Sequence, residues 1–231
     1  LASTPPTEEA FLREVDEELR REQIQTLWTR YGRLALIAVA LLLAAFAAFL
    51  FWRAETAKKA EAQSEQMSAA MADIQAGRRT EAGKKIDALI ADGGTGYSAS
   101  ARFTKAALAA EKGEAKAAAA LYAAIAADEA VAAPFRDLAL IRQTLVEYDS
   151  LKPQQVIDRM KPLAVEGSGY FGTAGELTAI ALIQTNRGAE AGRLLAAVAR
   201  DKTTPASLRA RAGRLASSLG ADVGADTADK D

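Results

Sequence analysis

The chain has 231 residues, half of them hydrophobic and 26% charged, which leaves room for one ordinary globular core plus accessory segments. Its 29 lysines and arginines nearly cancel 30 aspartates and glutamates, so no global field recruits nucleic acid. Histidine and cysteine are both absent, which excludes disulfides, thiolate chemistry, the commonest general base and the commonest transition-metal ligand.

Abundant alanine, with glycine and proline at scattered positions, predicts an all-α fold. The first element opens at Pro5-Pro6-Thr7-Glu8-Glu9, with Thr7 as N-cap and acids complementing the helix dipole. Phe11, Val15 and Leu19 follow on one face. That stripe docks on a partner, lies at a membrane surface, or belongs to an amphipathic helix with no specific contact.

Between Arg33 and Arg53 lie nineteen residues, Leu34 to Trp52, without charge or strong hydrogen-bonding side chain. At 1.5 Å per residue they span about 28 Å, the thickness of a hydrocarbon core. Trp28, Tyr31 and Trp52 stand where amphipathic rings settle at headgroups. A core helix would rarely run so far without a polar face, and a cleaved signal peptide would be shorter and follow a short basic leader. Before the span come Arg13, Arg20, Arg21, Arg30 and Arg33; after it come Arg53, Lys58 and Lys59, an excess that places the N-terminus inside. Ala40, Ala44 and Ala48 share one face, either as a seam for a neighbouring helix or as alanine filling a helix.

After Arg53 no breaker intervenes until Gly77, so the membrane helix is expected to continue as a stalk and first repeat helix over 53–76. Punctuation then recurs at Gly93-Gly94-Thr95-Gly96, Gly113, Pro134, Pro153, Gly167-Ser168-Gly169, Gly188 and Pro205, bounding segments suited to antiparallel helix pairs. One pattern appears three times. Ala70, Gly77, Ala82, Ile86, Leu89 and Asp92 reappear 36 residues on as Ala106, Gly113, Ala118, Tyr122, Ile125 and Asp128. They reappear 73 further on as Ala179, Asn186, Ala191, Leu195, Val198 and Asp201, and Val156, Met160, Leu163 and Glu166 supply the second half of a degenerate copy between. Small residues let two helices approach, glycine or asparagine takes a left-handed turn, and larger apolar residues fill the next layer.

This spacing resembles tetratricopeptide repeats, although the early tryptophan and the closing proline of that pattern are missing. The whole arrangement, with FRDLALIRQTL at 135–145 and TPASLRARAGRLASSLG at 204–220, resembles YfgM-type ancillary subunits of the Sec translocon. The resemblance implies an all-α chain with a single N-terminal transmembrane helix and a divergent TPR-like helical solenoid. It implies a bacterial inner-membrane protein with its N-terminus in the cytoplasm and its repeats in the periplasm. The implied partners are a SecYEG-type channel, periplasmic chaperones or exported clients, with no catalysis, cofactor, nucleic acid or small-molecule substrate.

The expected organisation is a cytoplasmic amphipathic helix at 1–33, a transmembrane helix at 34–52, a TPR-like periplasmic domain at 53–220 and a disordered acidic tail at 221–231. Thr204 to Gly220 reads as a capping helix with Pro205 at its first position, whose Arg209, Arg211 and Arg214 form a solvated face or meet an acidic partner. Carrying the repeat register forward, Met67, Met71, Phe103, Ala107, Glu176 and Ile180 either line a partner-binding groove or pack helix on helix. The GxGxxG match at Gly167 to Gly172 lacks a surrounding strand-helix-strand unit and reads as an inter-repeat turn. Asp128 and Glu129 read as solvated surface. The function expected is a membrane-tethered interaction module; the alternative is a structural or assembly subunit of another inner-membrane complex.

Overall fold

The computed structural model describes residues 6–223, with side chains from residue 28 onward except at Ala35 and Thr95. The first helix begins at Pro6, so Thr7 is its second residue and not its N-cap; the side chains of the Phe11, Val15 and Leu19 stripe and the chain after Val223 lie outside what is described. In chain order the elements are α1 (Pro6–Gln75), α2 (Arg79–Asp92), α3 (Thr95–Glu111), α4 (Ala115–Ala126), α5 (Ala133–Glu147), a 3₁₀ turn (Tyr148–Ser150), α6 (Pro153–Met160), α7 (Phe171–Gln184), α8 (Gly188–Arg200) and α9 (Ala206–Ser218). No strand occurs among the described residues. Two compact units divide at Glu61 and Ala62.

The first unit is helical because nothing in it breaks a helix: proline is confined to its start, and Gly32 is its one glycine. Gly32 is accommodated under the Trp28 ring, where a Cβ would come within 3.3 Å of Cδ2. The side chains of Leu34 and of residues 36–52 are exposed, with Leu42 at 70% and Phe51 at 75%. Within this chain the stretch enters no core. This helix is long and apolar enough to cross a membrane, and the length and composition also fit a signal sequence.

In the second unit each helix packs on its sequence neighbours, α2 on α3, α3 on α4, α4 on α5, α6 on α7, α7 on α8 and α8 on α9. Its core is accordingly a row of four clusters, around Ile86, Tyr122, Met160 and Leu195, instead of one central mass. The three regular copies use their matched positions alike. Ala70, Ala106 and Ala179 are fully buried on the first helix, Ala82, Ala118 and Ala191 on the second. A side chain no larger than a methyl lets the two backbones approach closely there. Ile86, Tyr122 and Leu195, with Leu89, Ile125 and Val198, fill the layer beyond.

The turns repeat as faithfully. Gly77, Gly113 and Asn186 all have positive φ, at 74°, 77° and 58°. Each donates its N–H three residues back while the next residue donates five back, at 2.8 to 3.0 Å, the Schellman closure that satisfies the last carbonyls of a helix. The degenerate copy solves the same joint differently. Thr144 takes the buried small position and returns its hydroxyl to the Leu140 carbonyl at 2.8 Å, so no polar group is stranded. The glycine position falls on Leu151, which is extended (φ −85°, ψ 142°) after the 3₁₀ turn, and Pro153 starts α6.

Three local details depart from the sequence reading. Pro205 is the N-cap of α9, not its first helical residue, and Thr204 is buried, donating its hydroxyl to Asp201 Oδ2 at 2.7 Å. The GxGxxG match splits: Gly167 turns with φ 88°, but Gly172 lies inside α7, where a Cβ would come within 2.6 Å of Thr204. Beyond Gly220, Ala221 packs on the last core cluster and Val223 is buried in it, because a fourth Schellman-type turn, at Gly220, folds the chain back.

Candidate interaction surface

The first helix of each hairpin has one side committed to its partners and another left over. One residue after each buried small position stand Met71, Ala107, Leu145 and Ile180, and three further on stand Ile74, Ala110, Tyr148 and Ile183. All eight are apolar or aromatic; Ile74 and Tyr148 pack against core clusters, which leaves the others as the free side. Met71 and Leu145 are 43% exposed, Ile180 36% and Ile183 39%. Large aliphatic side chains held in water at a repeating position are what an adaptable apolar binding surface requires.

The other expected groove residues are more committed. Met67 packs against the cluster of Ala70, Ile86 and Leu89. The Phe103 ring lies 5.9 Å from Tyr122 and 6.3 Å from Phe135, centroid to centroid, in tilted contacts that hold α3 against its neighbours. Glu176 accepts a two-pronged ion pair from Arg211 of α9, with Nη2 2.6 Å from Oε2. Arg209 is also engaged, donating to the Thr204 carbonyl at 2.8 Å. Ala40, Ala44 and Ala48 are exposed on α1.

Leu145 and Ile183 were within reach of the sequence. Leu145 stands eleven residues before Val156, as Met71 does before Ala82, and Ile183 stands three after Ile180. The degenerate copy hid the first because neither its alanine nor its glycine is present. Gly213 and Gly220 are a further pair at the seven-residue spacing of Ala70 and Gly77. They make α9 the first helix of an incomplete copy, with Gly213 buried and Gly220 at φ 74°.

Carboxylates in this unit are used as clamps. Asp73, 5% exposed, accepts from Lys85 Nζ and Arg78 Nη2, each at 2.6 Å, and the Lys85 and then the Arg78 hydrogen bonds hold its carboxyl below the ordinary value. Asp128 is held low by Arg102 and by the Ala130 N–H. Asp201 is held low by the Thr204 hydroxyl and the Thr203 N–H. Among the described residues no three acids stand together to hold a metal.

Antiparallel hairpins in register, a common turn and an apolar row on their first helices define a helical-repeat binding protein. A family model described as a tetratricopeptide repeat-like domain matches residues 25–191, and the chain belongs to that family. No curated protein and no solved structure matches the chain significantly.

Proposed function

We propose that the chain is a membrane-tethered, non-catalytic protein-interaction module of the YfgM type, beside the Sec translocon of a bacterial inner membrane, that recruits periplasmic chaperones or exported clients. The observation that carries this reading is that one repeat-family match, residues 25–191, takes in both the apolar segment and the hairpins. In it, residues 34–52 cross the membrane with the N-terminus in the cytoplasm, residues 53–220 work in the periplasm, and Ala40, Ala44 and Ala48 offer a seam to a neighbouring helix. Met67, Met71, Phe103, Ala107, Glu176 and Ile180, with Leu145 and Ile183 added, mark the groove side. The exposed aliphatics among them take apolar stretches of a client, and the tether raises their concentration at a channel exit.

The test is photo-crosslinking in native membranes from a reactive residue at Met71, Leu145 or Ile180. Channel subunits together with exported chains are expected among the products. Recovery of an unrelated inner-membrane complex alone would overturn the reading. Protease access in spheroplasts checks the topology: digestion of the repeats from the periplasmic side is expected, and their protection would reverse the orientation.

A further inference from the structure

A second surface lies between α4 and α5, where a cleft of about 400 Å³ is lined from α4 by Ala115, Ala119 and Ala123. From α5 and the turn after it come Gln143, Glu147 and Ser150. None of the groove positions lines it.

The chain builds the same junction once more, and there it is closed. Where α8 meets α9, Gly188 and Gly192 stand 73 residues after Ala115 and Ala119. Aligning Gly213 and Gly220 with Thr144 and Leu151 puts Ala212, Ala216 and Leu219 at the positions of Gln143, Glu147 and Ser150. Ala212 and Ala216 are fully buried, and Leu219 lies over both glycines. A Cβ at Gly188 would stand 3.7 Å from Leu219 Cδ2, and one at Gly192 would stand 3.0 Å from Ala221 Cβ and 3.3 Å from Leu219 Cβ, so Ala221 helps Leu219 close the junction.

The α4 and α5 residues do not close theirs, because the polar side chains bond along α5 and to α6 instead of reaching across to α4. Glu147 accepts from Arg159 of α6, Gln143 donates to Glu147 at 3.2 Å, and the Ser150 hydroxyl turns back to the Glu147 carbonyl at 2.7 Å. Ala115 and Ala123 stay open to the cleft, and Ala119, 5% exposed, forms its floor. Lys116 also lines the cleft; it is exposed and has no ion-pair partner among the described residues. With Glu147 neutralised by Arg159, Lys116 gives the cleft a net positive charge.

We propose that this cleft is a docking site for a partner segment that presents a leucine-sized aliphatic side chain beside a carboxylate. Leu219 shows which side chain completes the junction, and Lys116 supplies the complementary charge for the acid. The site is separate from the groove and does not rest on the export reading.

The test is fluorescence polarisation with the full chain in lipid nanodiscs, corrected against empty discs. The probe is a labelled alanine-based helical peptide carrying one leucine and one glutamate four residues apart. Saturable binding is expected, weakened roughly tenfold or more when the probe's leucine becomes alanine. Ser150→Leu, which fills the cleft as Leu219 fills its counterpart, is expected to weaken binding by a similar factor without lowering the melting temperature. Lys116→Glu is expected to shift preference to a probe with lysine in place of glutamate. Absence of saturable binding, equal binding of the leucine and alanine probes, or indifference to both protein variants would overturn the proposal.

Discussion

The hairpin α3–α4 and the pair α5–α6 bury the same register positions through different joints. In the first, Ala106 and Gly113 let two helices meet at once through a left-handed residue. In the second, Thr144 fills the small position, a 3₁₀ turn and an extended Leu151 span the gap, and α6 lasts only eight residues. The repeat therefore conserves what its core needs, a small buried residue facing an apolar layer, and leaves the turn free to vary. The same contrast separates the open α4/α5 junction from the closed α8/α9 one: the backbone plan is shared, and side-chain size decides which is sealed.

The largest expected effect sharpens the claim that the apolar layer is common to both kinds of joint. Leu195→Ala and Met160→Ala each remove a fully buried side chain and should each cost about 2–5 kcal/mol in chemical denaturation. A loss at Met160 under about 1 kcal/mol would show that the degenerate pair is not packed as its neighbours are. Next comes the turn itself. Gly113→Ala places a Cβ at φ 77° and should cost about 1–2 kcal/mol, whereas Asn186→Gly should change stability by less than about 0.5 kcal/mol. Leu151→Gly should bring no gain, since that residue is extended; a clear stabilisation would mean the degenerate joint is a strained version of the regular one.

Thr144→Ala restores the regular small residue and should stay within about 1 kcal/mol of the natural chain, because the hydroxyl it removes is bonded within its own helix turn. The smallest effect distinguishes clamps from core. Asp73, Asp128 and Asp201 have depressed folded pKa values, so their stabilisation is complete above the unfolded carboxylate value near 4 and is lost as pH falls through the folded values. Thermal melts should be flat from about pH 7 to 5 and decline below about 4, and Asp201→Asn should reduce that acid-side decline. A melt that instead fell between pH 7 and 5 would contradict this assignment.

Much of this was legible because helix hairpins are local. Small-residue spacing, the glycine seven residues later and the apolar layer lie within some thirty residues of one another, so Ala70, Gly77, Ala82, Ile86 and Leu89 announce a joint without any long-range pairing. What escaped was set by substitution or by distance. Thr144 and Leu151 carry neither residue type of the pattern, which concealed Leu145. The commitment of Glu176 to Arg211, thirty-five residues away, has no local signal.

From sequence alone came the all-α class, the long apolar helix, the repeat register and the residues that turn left-handed, because each depends on periodicity or on backbone sterics within a few residues. The tertiary structure alone decided which first-helix side chains stay in water, that Val223 returns to the core, and that Leu219 seals one junction while Ser150 leaves the other open. Those outcomes depend on the volumes and charges of residues brought together from separate helices, which no local pattern encodes.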